Sequence, residues 1–234
     1  MAVILNIETS TQVCSVSLSI DGKTEAVKES HTKNSHAELL TIFAQQLLSE
    51  QDYAFKELDA IAVSKGPGSY TGLRIGVSTA KGLCYSLDKP LIAITTLESM
   101  AAGMITQLKS EDISNTLFCP MIDARRMEVY SALYHPDLSI YRKILAEIID
   151  ENSFLEEFKK YKIVFGGDGA PKCAEILGKN SNAVVLEDFN CSSSYMGQLS
   201  EHKFREKDFE DVAYFEPYYL KDFVAGVPKV KGLR

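Results

Sequence analysis

The run Ser64-Lys65-Gly66-Pro67-Gly68-Ser69-Tyr70-Thr71-Gly72-Leu73-Arg74-Ile75-Gly76 is the part of the sequence with the clearest chemical potential. Glycine tolerates positive φ and lets another backbone approach closely, and this run opens directly onto a helical pattern. Amides converging at such a turn form a nest that could hold a phosphate or carboxylate. The same residues serve equally well as a tight strand-to-helix turn that binds nothing. The run is not a P-loop, because the GxxxxGK[ST] spacing is absent and Leu73-Arg74 stands where Lys-Ser would be. Two acids close apolar runs: Glu8 after Val3 to Ile7, and Asp123 after Leu117 to Ile122. Facing one another across a cleft, they could organise a magnesium-bound nucleotide. The alternative is that each accepts hydrogen bonds from backbone amides in its own hairpin. Glu8, Thr9, Ser10, Gly66, Pro67, Gly68, Ser69 and Asp123 are therefore the candidate nucleotide or anion site.

Other chemistries find little support. His31 and His36 are five residues apart, a helical rotation of about 140°, so their imidazoles diverge. His135 and His202 lie in turn-like and helical contexts, and no metal site is expected. Ser10, Ser69 and Cys14 have no histidine nearby in sequence, and no G-x-S-x-G elbow exists. Cys14, Cys84, Cys119, Cys173 and Cys191 are scattered and odd in number. Buried reduced thiols are the expectation. Arg125 and Arg126 follow Asp123 and read either as anion binders or as members of surface ion pairs.

The elements that would position these groups recur. Strand, acid, hairpin, third strand, helix, strand, glycine loop, helix and strand occur once from Val3 to Thr95. The order begins again at Leu117, with Gly166-Gly167-Asp168-Gly169 as the second glycine loop. Cys14, Val16, Leu18 and Ile20 alternate with Ser15, Ser17 and Ser19, the period of a half-buried strand. Ser35-His36-Ala37-Glu38 has capping-box spacing before Leu39, Leu40, Phe43, Leu47 and Leu48. A duplicated βββαβα unit is the plan of two-lobed actin-like proteins (the ASKHA, ribonuclease H-like α/β group). The expected division is 1–110 for the first lobe, 111–212 for a smaller second lobe, and 213–234 for a returning segment with a basic tail. Gly72, Gly76 and Ala80 recur every four residues, with Thr79 and Leu83 alongside. Such a stripe admits a second helix or packs on its own sheet.

Composition bounds the rest. The 234 residues are 45% hydrophobic and 24% charged, ordinary for a globular protein. No apolar run approaches the ~18 residues of a membrane span, and Glu8 arrives too early for a signal peptide, so a cytoplasmic protein is expected. A formal charge of −7 disfavours unaided nucleic-acid binding, and only Lys229 to Arg234 is locally basic.

The glycine run closely resembles the signature of the TsaB (YeaZ) family, a branch of the actin-like fold. Ile7-Glu8-Thr9-Ser10-Thr11 is similar to that family's first turn, where Asp is the commoner acid. Asp123-Ala124-Arg125-Arg126-Met127-Glu128-Val129-Tyr130 resembles the strand opening its second lobe, and Glu216-Pro217-Tyr218-Tyr219-Leu220 its tail. The resemblance implies a non-catalytic scaffold or activating subunit for synthesis of threonylcarbamoyladenosine in tRNA. It implies pairing with the transferase TsaD and recruitment of the ATPase TsaE. It further implies a homodimer when TsaD is absent, and tRNA engaged through the complex. The implied docking residues are Leu39, Phe43, Gly72, Gly76, Thr79, Ala80 and Leu83. No cofactor would be tightly held, with ATP or ADP and magnesium at the interface of the complex. TsaD-like sequences hold a metal partly through two histidines four residues apart, a pair this chain lacks. The alternatives are a small actin-like ATPase or phosphotransferase using Glu8, Gly66 to Gly68 and Asp123, and a glycoprotease-like peptidase.

Overall fold

The computed structural model describes residues 1–32, 35–108 and 112–221. Ser110, at the expected lobe boundary, and the basic tail Lys229 to Arg234 lie outside the described residues. The first sheet is built from β1 (Val3–Glu8), β2 (Cys14–Ile20), β3 (Lys23–Ser30), β4 (Ala60–Gly66) and β5 (Leu91–Thr95), in the order β3-β2-β1-β4-β5. The second uses β6 (Thr116–Asp123), β7 (Glu128–Tyr134), β8 (Ile140–Ile148), β9 (Lys162–Gly166) and β10 (Ala183–Val185), in the order β8-β7-β6-β9-β10. The two orders are the same path traced twice. β1 runs antiparallel to β2 and parallel to β4, as β6 does to β7 and β9. The duplicated two-lobed plan is present, and its centre is where β1 and β6 end in Glu8 and Asp123.

The helices are unequal. α1 (His36–Glu50) and α2 (Tyr70–Leu87) cover one face of the first sheet over Leu5, Ile7, Val16, Leu18, Ile61 and Val63. Their counterparts α4 (Leu155–Phe158) and α5 (Ala174–Leu177) are single turns. The expected capping box at α1 does not form. Ser35 is itself helical (φ −91, ψ −6), and its hydroxyl donates to the Thr32 carbonyl at 2.8 Å instead of accepting a first-turn amide.

The sheets fall on either side of residue 110, but the helical layers do not respect that division. α3 (Thr96–Gln107) lies in the first segment yet lays Leu97, Met100, Ala101 and Met104 on Phe118, Ile122, Ala132, Tyr134 and Val164 of the second sheet. α6 (Gly197–Glu206) makes the reverse journey. With Met196, its Leu199 and Phe204 cover Ala2, Ile4, Ala60, Ala62, Ile92 and Ile94 on the free face of the first sheet. Each lobe thus lends a helix to the other. Ser15, Ser17 and Ser19, expected at a solvent face, are fully buried for the same reason. The segment returning toward α6 lies over them: Ser15 and Ser193 hydroxyls meet at 2.7 Å, and Ser17 donates to the Ser193 carbonyl at 2.9 Å. All five cysteines are free and buried. Among the described residues no helix is long and apolar enough to cross a membrane.

Exchange of helices makes each lobe's core depend on the other's chain, so unfolding is expected to be a single cooperative transition. Ile94→Ala, at a fully buried position beneath α6, should cost about 2–5 kcal/mol. Urea titrations followed by circular dichroism and tyrosine fluorescence test both points. Two separated transitions would show that the lobes fold independently.

Candidate functional site

Three segments meet where β1 ends: the turn Glu8-Thr9-Ser10-Thr11, the glycine run after β4, and residues 166–169 with 190–191 from the second half. Glu8 is fully buried. Its Oε1 accepts the Ser10 amide at 2.6 Å and the Ser64 hydroxyl at 2.8 Å, while Oε2 has no hydrogen-bond partner among the described residues. Asp123 repeats the device one lobe later, its Oδ1 accepting the Arg125 amide at 2.8 Å and pairing with Lys172. Both acids therefore hold together the turns that follow their own strands, the structural alternative for these residues.

Near Glu8 lies a cavity of about 190 Å³ lined by Thr11, Gln12, Val13, His31, Asp168, Asn190 and Cys191. Asp168, His31 and Cys191 are its ionisable groups, and no Lys or Arg lines it. Burial raises the Asp168 carboxyl above its usual range, opposed by the hydrogen bond from the Asp123 amide. Burial, reinforced by the negative charge of Glu8, pushes the Cys191 thiol well up, so it stays protonated near neutral pH and is a poor nucleophile. Its sulfur lies 3.8 Å from the Ser10 hydroxyl. His36 is buried with Nε2 3.0 Å from the Thr11 carbonyl, whereas His31 is exposed at the cavity rim. Among the described residues no three His, Cys, Asp or Glu side chains are grouped to hold a metal ion.

The glycine run has a different occupant from the one its composition advertises. A Cβ on Gly66, where φ is +112, would fall 2.5 Å from the Tyr218 carbonyl oxygen, and one on Gly68 would fall 2.5 Å from that of Ser10. Gly72 and Gly76 face Thr9, whose carbonyl oxygen and hydroxyl respectively fill the space a side chain would need. The same contacts carry hydrogen bonds: Ser69 N–H to Ser10 O at 2.6 Å, and Thr9 Oγ1–H to Gly72 O at 2.8 Å. Gly66 is joined to Pro67 by a cis peptide, and Ser69 caps α2 through Gly72 N–H at 3.3 Å. In the second lobe a Cβ on Gly167 would collide with the Met121 carbonyl, and one on Gly169 would meet the Ile122 carbonyl carbon at 2.9 Å. Gly66, Gly68, Gly72, Gly76, Gly167 and Gly169 each already seat a piece of this chain.

The stripe on α2 is corrected accordingly. Gly72, Gly76 and Ala80 are buried within the lobe, so the narrow face points inward. Leu39, Phe43 and Leu83 are half-buried against the first core, and Thr79 is partly exposed. The outward surface of α1 and α2 instead shows Ile42 at 46% and Tyr85 at 86% exposure, and the space around Gly82 is open. Ile42 falls outside the apolar helical spacing of α1, and that mismatch was the available sequence signal.

A strap closes the arrangement. Glu210 N–H donates to Leu91 O at 2.9 Å, and Lys81 donates to the carbonyls of Ala213 (3.2 Å) and Phe215 (2.9 Å). Tyr218 N–H then reaches Lys65 O at 2.7 Å. The Tyr219 ring packs tilted against Tyr70 at 5.0 Å and its hydroxyl accepts Arg74 Nε–H at 3.2 Å, and Lys221 pairs with Glu128 of the second lobe.

Two glycines six residues apart on α2 should respond oppositely to alanine. Gly76→Ala forces Thr9 to move and should destabilise by about 1–3 kcal/mol. Gly82→Ala meets nothing within 4 Å and should stabilise by about 1 kcal/mol, the helix-propensity difference. Thermal melts of both variants check the assignment. A neutral Gly76→Ala would mean that the Thr9 contact is soft.

Residues 23–227 match the family model described as TsaD, tRNA N6-adenosine threonylcarbamoyltransferase. The tRNA threonylcarbamoyladenosine biosynthesis protein TsaB of Bacillus subtilis (strain 168) is 30% identical, the alignment covering 93% of each chain. TsaB of Escherichia coli (strain K12) is 36% identical over 95% of this chain and 96% of its own. The structure of YeaZ from Pseudomonas aeruginosa superposes with a TM-score of 0.80 at 23% identity, covering 94% of this chain and all of that one, a likeness of fold. The fold is two-lobed and actin-like, and by 30% and 36% identity to these relatives over nearly the full length of each chain, the chain belongs to the TsaB family of tRNA threonylcarbamoyladenosine biosynthesis proteins.

Proposed function

We propose that this chain is a non-catalytic subunit of the tRNA threonylcarbamoyladenosine synthesis complex, acting in the cytoplasm as the activating partner of TsaD and helping to recruit TsaE. The observation that carries the reading is the filling of the glycine seats by Ser10, Thr9 and Tyr218. A cleft that spends its close backbone approaches on its own packing is suited to support rather than to turnover. Any ATP or ADP with magnesium is placed at the junction between subunits, outside this cleft. The charge of −7 leaves most of the tRNA to the partner.

The docking surface is assigned to the outward faces of α1 and α2, through Ile42, Thr79 and Tyr85, with the half-buried Leu39, Phe43 and Leu83 beneath it. The buried Gly72, Gly76 and Ala80 shape α2 from inside. The same face would join two copies when TsaD is absent. The test of function is reconstitution. TsaD, TsaE, ATP, threonylcarbamoyl-adenylate and tRNA should give modified tRNA only when this chain is added, and this chain alone should give none. Modification by this chain alone would refute the non-catalytic reading.

Ile42→Asp and Thr79→Arg each place a charge on that face. Both should weaken pairing with TsaD by about 30-fold or more, about 2 kcal/mol, with melting temperatures close to wild type. Titration calorimetry beside thermal melts measures the two separately, and undiminished pairing in both variants would move the interface elsewhere.

A further inference from the structure

The hairpin between β6 and β7 places two consecutive non-glycine residues in the left-handed region, Arg125 (φ 72) and Arg126 (φ 49). L-residues adopt that conformation at a steric cost that glycine escapes. The chain uses the conventional solution elsewhere: the β2–β3 turn is Asp21-Gly22, with φ 49 and 79. Nothing in the hairpin's own bonding requires arginine. Arg125 contributes its amide to Asp123 and its carbonyl to the Glu128 amide at 3.1 Å, and Ala124 N–H donates to Glu128 O at 3.1 Å. Any residue's backbone would do the same.

The carboxylates flanking the turn and the other described arginines have partners of their own. Asp123 is paired with Lys172 and Glu128 with Lys221. Arg74 is taken by Tyr219 and Tyr70, Arg142 by Glu147, and Arg205 by Glu201. Among the described residues Arg125 and Arg126 are both exposed, and neither guanidinium has a hydrogen-bond or ion-pair partner. In a chain of charge −7 this leaves two adjacent, uncompensated guanidiniums on a turn tied down at its base. A planar guanidinium matches the paired oxygens of a phosphate, and such contacts position RNA without reading its sequence.

We propose that the Arg125-Arg126 turn is a phosphodiester-binding fork that contacts the tRNA backbone when this chain is paired with TsaD. The inference rests on the tRNA-complex reading above. Two contacts are too few to hold tRNA alone, so the isolated chain binds it weakly while the pair gains from them.

The experiment is fluorescence anisotropy of labelled tRNA against the TsaD pair from 50 to 200 mM salt, with pairing followed separately by size exclusion. The R125A/R126A pair should bind about tenfold more weakly. Its log affinity should fall less steeply with log salt, the slope shrinking by about 1.4–1.8 for two lost phosphate contacts. R125K/R126K should keep most of that slope. R125G/R126G should lose it while melting at higher temperature, separating charge from folding. Unchanged affinity and slope in R125A/R126A overturn the proposal. So does a loss of binding that merely follows lost pairing, which would assign the fork to an acidic protein surface. A wild-type pair that does not bind tRNA overturns the underlying reading, and the fork with it.

Discussion

The contact between the Glu8–Thr11 turn and the start of α2 sets the geometry of the first lobe. Thr9 and Ser10 press their carbonyls and a hydroxyl against Gly68, Gly72 and Gly76. Backbone can approach a helix at that distance only where no Cβ intervenes. The spacing of the glycines follows from this, because positions 72 and 76 share one helical face and 68 precedes the cap. With α2 drawn down onto the turn, Glu8 is enclosed, Ser64 reaches its carboxylate, and the strap has a fixed groove in which Tyr218 meets Gly66.

The second organising constraint is the exchange of α3 and α6. A five-stranded sheet with one face covered by α1 and α2 needs a second cover, and in the first lobe that cover comes from beyond β10. The junction mixes apolar and hydroxyl contacts. Ile4, Ala62, Ile92 and Ile94 meet α6, while Ser15 and Ser17 of β2 meet Ser193, and Thr24 of β3 donates to the Ser194 carbonyl at 2.8 Å. Glu29 joins this network through the Ser15 hydroxyl at 2.7 Å and the Ser192 hydroxyl at 2.5 Å. Hydroxyl pairs have directional partners where aliphatic surface does not, so they fix the register of the returning segment over the sheet.

Much of this was legible in the residues, and the failures share one cause. The repeated order of strand, acid, hairpin and glycine loop is local information, carried by runs such as Val3 to Glu8 and Leu117 to Asp123. The orientation of faces is not local. Ser15, Ser17 and Ser19 read as a wet face because alternation reports polarity, while their cover lies at residues 192–194. Gly72, Gly76 and Ala80 read as a free stripe because helical spacing gives a face without saying which way it points, and Thr9 decides that. The apolar side of α3 suits either sheet, and only the folded chain shows that it takes the second. Ser35 and Glu38 had the spacing of a cap, but Ser35 is itself helical, where a capping residue is extended. At the candidate site the acids and glycines were found, and their partners were not, since Tyr218 and Cys191 lie far along the chain.

The helix exchange also has a consequence for how the protein is made. Synthesis proceeds from the N-terminus, and domains ordinarily fold as they emerge. Here β1 to β5 emerge first, but the apolar face formed by Ile4, Ala60, Ala62, Ile92 and Ile94 stays uncovered until Gly197–Glu206 has left the ribosome. α3 emerges in the meantime with its own apolar side bare, ahead of the sheet that will receive it. The nascent chain therefore carries two sticky surfaces through the translation of the whole second sheet. Slow translation or a stall in that interval lengthens the exposure of both surfaces.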